Sequence, residues 1–315
     1  MSGVEAGGEH YDVVIIGGGP AGLSVGLNLV RARRRVLILD SNRPRHSATL
    51  VSHGFLTRDG VSPLELRALG REEFAGYPTA EFHQGLVGSL QRDAESGVFS
   101  LSSRGVRGSA DREVTASVVV LASGLAETLP ALPSIRAYYG TSLHSCIECD
   151  AFEKSGKPLA LIGSTPDLAE RALLISQVSD DLIVFTGGAD VITDAEEAGL
   201  AARGIDVERR ELADVVGDRS GLTGVVLADG TTVEREGGFV RPLWSVPLPF
   251  AESLDPELDR DADGYVIVDS RGATSIEGLF AAGDITPPGP QQLIVAAGAG
   301  ARVAAAVNRH LLGPL

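Results

Sequence analysis

Cys146 and Cys149 are the only cysteines in the chain, in the order Cys146-Ile147-Glu148-Cys149 with Asp150 directly after. Two thiols at C-x-x-C spacing can close a small disulfide ring, and the motif lowers a thiol's pKa toward nucleophilic reactivity at neutral pH. The chemistry this points to is thiol–disulfide exchange. Structural zinc and two incidental buried cysteines are the competing readings. Zinc takes four nitrogen or sulfur ligands, and no second C-x-x-C or H-x-x-H completes such a set, so no metal site is expected. A neighbouring cation assists exchange by stabilising the thiolate, and His144, two residues before Cys146, is the nearest candidate.

The elements that must position this pair carry a second signal, at the N-terminus. Asp12-Val-Val-Ile-Ile16 is a β-branched run, followed by Gly17-Gly18-Gly19-Pro20-Ala21-Gly22, a helical stretch through Leu29, and a second apolar run, Arg35 to Leu39, ending on Asp40. Strand, glycine turn, helix, strand and then an acid about 20 residues on is the full setting of a dinucleotide-binding turn. Gly17 permits the tight turn, Gly19 lets backbone approach a pyrophosphate, and Gly22 lets the helix pack on the strand. The helix N-terminus offers free N–H groups to the phosphates, and Asp40 would accept from the ribose hydroxyls.

A second βαβ start lies at Pro158-Leu-Ala-Leu-Ile162, just after the cysteines, but its turn reads Gly163-Ser164-Thr165-Pro166-Asp167-Leu168. Only the first glycine survives. Thr165 would crowd a pyrophosphate, and Asp167 sets negative charge where phosphate should lie. The next strand, Leu182 to Phe185, runs into Thr186-Gly187-Gly188-Ala189-Asp190, with neither an arginine for a 2′-phosphate nor a terminal acid for a 2′-hydroxyl. Losing two charged contacts of about 1.5–3 kcal/mol each weakens binding roughly a hundredfold or more. Atypical nicotinamide binding is the alternative.

Two further runs, Val118-Val-Val-Leu-Ala-Ser-Gly124 and Gly278-Leu-Phe-Ala-Ala-Gly-Asp284, read as buried parallel strands ending in small residues. The latter can present Asp284 to the polar chain of a cofactor, and after it come Gln291, Gln292 and an Ala/Gly-rich helix to about His310.

At 315 residues the chain can hold two domains, and its 43% apolar and 22% charged residues are ordinary for a soluble globular protein. A net charge of −15 argues against nucleic acid, which demands surplus Lys and Arg. The basic residues are nearly all arginine; the only lysines are Lys154 and Lys157, a bias read as lineage composition. The first ten residues lack the basic region of a signal peptide, and the apolar Val13–Val30 stretch is explained by its glycine turn. The expectation is a cytoplasmic protein without a membrane partner, where a lone cysteine pair is catalytic rather than structural.

These residues resemble, over essentially the whole chain, the low-molecular-weight thioredoxin reductase family of FAD-dependent disulfide oxidoreductases. The matched features are Gly17–Gly22, Ala122-Ser-Gly124, Cys146-x-x-Cys149-Asp150, Phe280-Ala-Ala-Gly-Asp284 and Gln292. The resemblance implies an α/β fold of two Rossmann-like three-layer domains. The FAD domain would be discontinuous, in segments 1–126 and 248–315, around an inserted C-x-x-C redox domain, 127–247, with a degenerate NAD(P)-type fold. Pro130–Pro133 and Pro247–Pro249 would mark the crossings. It implies FAD held by Gly17, Gly19, Pro20, Ala21, Gly22, Asp40, Ala122, Gly124, Gly283, Asp284, Gln291 and Gln292. His53 is a candidate for the loop over the flavin or else a satisfied polar loop residue. It also implies that Cys149 faces the flavin, that Cys146 meets substrate, and that Asp150 donates or accepts the proton; a helix cap is the other use of Asp150.

The missing second glycine motif, the absent arginine cluster and the stretch Phe239–Pro247 depart from the reductases. In these respects the chain looks like the branch that contains the gliotoxin and holomycin dithiol oxidases. That likeness implies a small natural-product dithiol as substrate, in antibiotic biosynthesis or self-protection. Oxygen would be the electron acceptor, hydrogen peroxide the product, and nicotinamide unnecessary. Trp244 would help shape the pocket, and a homodimer is implied by the resemblance alone. The alternatives are an NAD(P)H-driven reductase, a ferredoxin-driven reductase docking on the Arg31-Ala-Arg-Arg-Arg35 patch, and a flavin-bearing redox sensor without turnover.

Overall fold

The computed structural model describes residues 9–254, 256–287 and 289–313. The absence of a leader peptide is an expectation about the first ten residues, of which 1–8 lie outside the described residues. Strand β1 (Glu9–Ile16) sends Val13 and Ile15 into one apolar cluster and Val14 and Ile16 into another. After helix α1 (Pro20–Arg31), strand β2 (Val36–Asp40) repeats that division, with Val36 and Ile38 on one face and Leu37 and Leu39 on the other. Strands apolar on both faces belong inside a parallel sheet, and β1 pairs in parallel with β2. Helix α2 (Pro63–Ala75) precedes β3 (Ala80–Arg92), β4 (Phe99–Gly105) and β5 (Arg112–Leu121). Strand β3 continues the parallel set beside β2, β4 runs antiparallel between β3 and β5, and β5 returns in parallel beside β1.

Past β6 (Ala126–Thr128) come α3 (Ile135–Tyr138), β7 (Leu143–His144), α4 (Ile147–Asp150), β8 (Leu159–Ile162) and α5 (Leu168–Ile175). They are followed by β9 (Leu182–Phe185), α6 (Asp194–Ala201) and β10 (Asp206–Glu208). An antiparallel meander of β11 (Leu212–Asp218), β12 (Gly221–Leu227) and β13 (Thr232–Glu234) then leads into β14 (Gly237–Val240). Strand β14 enters the sheet between β8 and β7, completing the parallel order β10-β9-β8-β14-β7. Leu159 and Leu161 of β8 pack with α5, while Ala160 and Ile162 pack with the meander. After β15 (Leu243–Ser245), β16 (Leu279–Ala281) rejoins the first sheet beside β5, and α7 (Leu293–His310) packs on α1. Both sheets are the central layers of Rossmann-like three-layer α/β domains, as the sequence predicts.

The chain forms two compact units: Met1–Arg45, Leu64–Ala126 and Ser245–Leu315 make one, His46–Pro63 and Glu127–Trp244 the other. The sequence places 46–63 in the first segment, but these residues group with the second unit. Gly140 (φ +88°) comes so close to this segment that a Cβ on it would fall 2.2 Å from the Ala48 carbonyl oxygen. No described helix is long and apolar enough to cross a membrane.

The contact between α1 and α7 depends on Gly300, where a Cβ would lie 2.3 Å from the Ala21 carbonyl oxygen. Gly300→Ala is expected to cost about 1–3 kcal/mol by forcing the helices apart, and thermal unfolding of the purified variant measures it.

Candidate active site

Leu143 of β7 and Ile147 of α4 are buried anchors on either side of Cys146. They hold Cys146 and Cys149 with their Cα atoms 5.3 Å apart, and the two are joined in a disulfide. Cys146 itself occupies the N-cap position of α4, and Asp150 is that helix's last residue, so Asp150 does not cap it. The Glu148 carboxylate lies 3.9 Å from Cys146 Sγ. Arg171, on α5, donates from Nη2 to the Ser145 carbonyl at 2.8 Å, which fixes the residue entering the ring.

Behind the disulfide is a buried group of ionisable side chains. His144 Nε2 is 3.4 Å from Asp150 Oδ1, and both side chains are nearly excluded from solvent. Lys154, in the short 3-10 turn Phe152–Lys154, is only 6% exposed, with its ammonium 5.9 Å from the centre of the Phe239 ring. Burial pushes the Asp150 carboxyl up to about 6, with Lys154 and His53 pulling it back and Glu153 adding to the rise. Burial pushes Lys154 down to about 8, against the attraction of Asp150. Burial and then the Lys154 charge push His144 down to about 4, against the Gly140 backbone. At neutral pH His144 is therefore uncharged and does not supply the cation expected of it. The buried cation is Lys154, which the sequence dismisses as composition. His53, a candidate for the flavin loop, sets its ring between Asp59 and Glu153, 3.5 Å from a carboxylate oxygen of each.

The first unit holds the intact glycine turn. Gly17 (φ +113°) passes so close to the next strand that a Cβ would fall 2.2 Å from the Ala122 carbonyl oxygen, and a Cβ on Gly22 would fall 1.9 Å from the Gly17 oxygen. Around Gly19 the space is open to at least 4 Å. Pro20 opens α1, where its missing N–H costs nothing, and no side chain caps the free N–H groups behind it. These are the features of a pyrophosphate cradle. Asp40 ends β2 in a buried position, taking the Gly18 N–H at 3.2 Å on Oδ1. Its Oδ2 accepts from Arg67 at 2.9 Å and Arg71 at 2.8 Å, two partners on α2 that nothing in the local sequence announces.

Ala122 is buried beyond β5, Gly124 follows with φ +70°, and Gly283 (φ +82°) faces Ala21 across a gap too small for a Cβ. Asp284 is held by Arg45 Nη2 at 2.8 Å. Gln291 and Gln292 are half-buried, and Gln292 sits at the N-cap of α7. The open Gly19 cradle, the uncapped helix and the acids Asp40 and Asp284 fit a dinucleotide with an extended polar chain.

The second glycine turn is filled from within the chain. Asp167 stands at the N-cap of α5, accepting from Thr165 Oγ1 at 2.6 Å and pairing with Arg241 Nε at 2.8 Å. Burial opposes its charge, but Thr165, Arg241 and Arg171 together hold the carboxyl below the usual range. A Cβ on Gly163 would lie 2.8 Å from that of Arg241, so this arginine rests on the turn itself. Near the end of β9, the Thr186 N–H donates to the Glu208 carbonyl at 3.1 Å, and the Gly188 N–H to the Arg209 carbonyl at 2.9 Å. Arginines thus come close here from beyond β10, contrary to the local sequence. Arg209 is engaged by Glu197 and the Ile192 carbonyl, and Arg210 by Glu208 and Asp229.

A dinucleotide fold in one unit and a C-x-x-C disulfide in the other define an oxidoreductase of thiols and disulfides. The family model for pyridine nucleotide-disulphide oxidoreductases matches residues 11–300, and the chain belongs to that family. Among solved structures, HlmI is 35% identical with a TM-score of 0.88, covering 99% of this chain and 95% of its own. An oxidoreductase from Agrobacterium tumefaciens is 32% identical with a TM-score of 0.86, covering 97% of this chain and 100% of its own. The thioredoxin reductase of Treponema pallidum is 25% identical over 310 residues, 96% of this chain and 97% of that protein. The chain spans 46% and 59% of the length of two other curated relatives that it matches. The fold is the thioredoxin reductase-like one, and the homologues are flavoproteins that typically hold FAD.

Asp40 balances two arginines, of which Arg67 is 5% exposed. Asp40→Ala leaves that guanidinium buried without its carboxylate, and the expected loss is about 3–5 kcal/mol. Chemical denaturation of the purified protein checks it, with Asp40→Asn expected to lose less.

Proposed function

We propose that this protein is an FAD-dependent dithiol oxidase that converts a small natural-product dithiol to an intramolecular disulfide. The observation that carries the reading is Arg241 and Asp167 paired over the second glycine turn at 2.8 Å. A nicotinamide dinucleotide would have to displace that pair to reach the backbone. In this reading the electrons come from a thiol substrate.

In this reading the substrate's first thiol attacks Cys146 and releases Cys149 as a thiolate. The second thiol then closes the substrate's own ring and releases Cys146. Asp150 accepts one of the two protons that the substrate thiols lose, the other passing to water, and Arg171 keeps the Ser145–Cys146 backbone in place through the exchange. FAD, held by the Gly17–Gly22 turn, Asp40, Ala122, Gly124, Gly283, Asp284, Gln291 and Gln292, supplies the two-electron route to oxygen, with hydrogen peroxide as product. In this reading the FAD domain is 1–126 and 248–315, less the 46–63 segment that groups with the other unit, and the redox domain is 127–247, in a cytoplasmic homodimer serving antibiotic biosynthesis or self-protection.

A second reading, an NAD(P)H-driven disulfide reductase, is favoured by Arg209 and Arg210, which lie just beyond β10, the neighbour of β9. Anaerobic visible spectroscopy separates the two. The oxidase reading expects dithiothreitol to bleach the flavin bands and NADPH and NADH to leave them, with colour and peroxide appearing when air is admitted. Fast bleaching by either nicotinamide would overturn it. Cys146→Ser should lose the dithiol response altogether; a flavin-bearing sensor without turnover would keep its function.

A further inference from the structure

Beside the disulfide stands one carboxylate that the exchange chemistry has not used. Glu148 is an exposed residue of α4, and its carboxylate lies 3.9 Å from Cys146 Sγ in a contact open to solvent. The backbone leading into that sulfur is fixed, because Arg171 Nη2 donates to the Ser145 carbonyl at 2.8 Å. Ile147 is the buried residue that anchors α4, so the packing of this turn makes no demand on the Glu148 side chain.

A carboxylate in this place works against reaction at Cys146. Exchange proceeds through thiolates, which attack a disulfide sulfur as anions and leave it as anions. A substrate thiolate attacks Cys146, the Cys146–Cys149 bond breaks, and Cys149 leaves with the electron pair. The second substrate thiolate then closes the substrate S–S bond and releases Cys146. Two electrons pass to the cysteine sulfurs, and the two protons lost by the substrate go to Asp150 and to water. Glu148 repels both the attacking thiolate and the departing Cys146 thiolate. Arg171 attracts Glu148, but its Nη2 is committed to the Ser145 carbonyl. A group that slows the favoured reaction gains a use when it slows competing ones more, because a repulsive element supplies specificity.

We propose that Glu148 is a specificity-determining residue that sets the charge of the substrate: it admits neutral and cationic dithiols to Cys146 and turns away those that carry carboxylates. The inference rests on exchange at Cys146–Cys149, which the oxidase and reductase readings share, and it names the charge class of the substrate. Other charges act in the same direction. Asp59 and Glu153, both well exposed, flank His53 at 3.5 Å, and the chain as a whole carries a net charge of −15. The cations of this region lie deeper, Lys154 being buried and Arg171 half-buried. The field of the whole protein slows any anion, whereas a charge next to the reacting sulfur discriminates among small dithiols.

The test uses oxidised full-length holoenzyme under anaerobic conditions and three small dithiols: neutral dithiothreitol, cationic dithiobutylamine and anionic dihydrolipoate. Bleaching of the flavin bands is followed by stopped flow at dithiol concentrations where the rate rises linearly, so that attack on the disulfide is what is read. Each dithiol's own reactivity cancels when the rate of a variant is divided by that of wild type. Relative to dithiothreitol, Glu148→Gln should speed dihydrolipoate about two- to fivefold and slow dithiobutylamine by a similar factor. Glu148→Lys should roughly square both factors, and Glu148→Asp should keep the wild-type order. At about 1 M salt the differences should shrink toward one, because charges this exposed are screened.

Variant-to-wild-type ratios that are equal for all three dithiols overturn the proposal, as does a charge dependence that salt leaves unchanged. Failure of every dithiol to bleach wild type would refute exchange itself, and the proposal with it. The expected selectivity without peroxide on admitting air would refute only the oxidase reading and leave the role of Glu148 standing.

Discussion

Backbone touching backbone is the constraint on which both units depend. Where β1 turns into α1, the Gly17 and Gly22 positions leave no room for a single extra carbon, and α7 closes on α1 through Gly300 in the same way. In the second unit Gly238 of β14 does this against the Ala160 backbone, with φ +152° and a Cβ position 2.0 Å from the Ala160 oxygen. Such contacts bring the ends of parallel strands together and leave their polar groups facing one region, which is where open α/β sheets bind ligands. The cofactor cradle and the disulfide each sit at that kind of strand end. Neither would survive a looser approach of the chains behind it.

The two glycine turns share this geometry and differ in what completes them. In the first, the space around Gly19 is open, and Asp40 ends the next strand with its charge balanced by Arg67 and Arg71. In the second, the chain supplies both partners of an ion pair and places them over the turn. An exposed salt bridge contributes little to stability, so the significance of the Asp167–Arg241 pair lies in where it is.

Much of this was legible in the sequence, because the signals are local. The runs Asp12–Ile16 and Leu182–Phe185 lie within strands, Val118–Gly124 and Pro158–Ile162 contain strands that end at Leu121 and begin at Leu159, and the small-residue stretch to His310 is a helix. What was not legible depends on which distant segments become neighbours. Asp40 meets α2 only because β2 and the start of β3 lie side by side, and Arg241 reaches Asp167 because β14 inserts next to β8. Lys154 goes unmarked for a related reason: no pattern around it signals burial. His144 failed as a cation on the same physics, with burial rather than spacing deciding its protonation.

The Asp167–Arg241 pair also limits how this turn can change over evolutionary time. Replacing Thr165 with glycine would leave the pair where it is. Replacing Arg241 alone would leave Asp167 only the more distant charge of Arg171, and replacing Asp167 alone would leave Arg241 only the Trp244 ring beneath it. Each single step toward an open cradle therefore loses an interaction before any ligand contact is gained. Interacting neighbours of this kind make substitutions non-additive, so the pair acts as a ratchet: readily kept once formed, and undone only by concerted change.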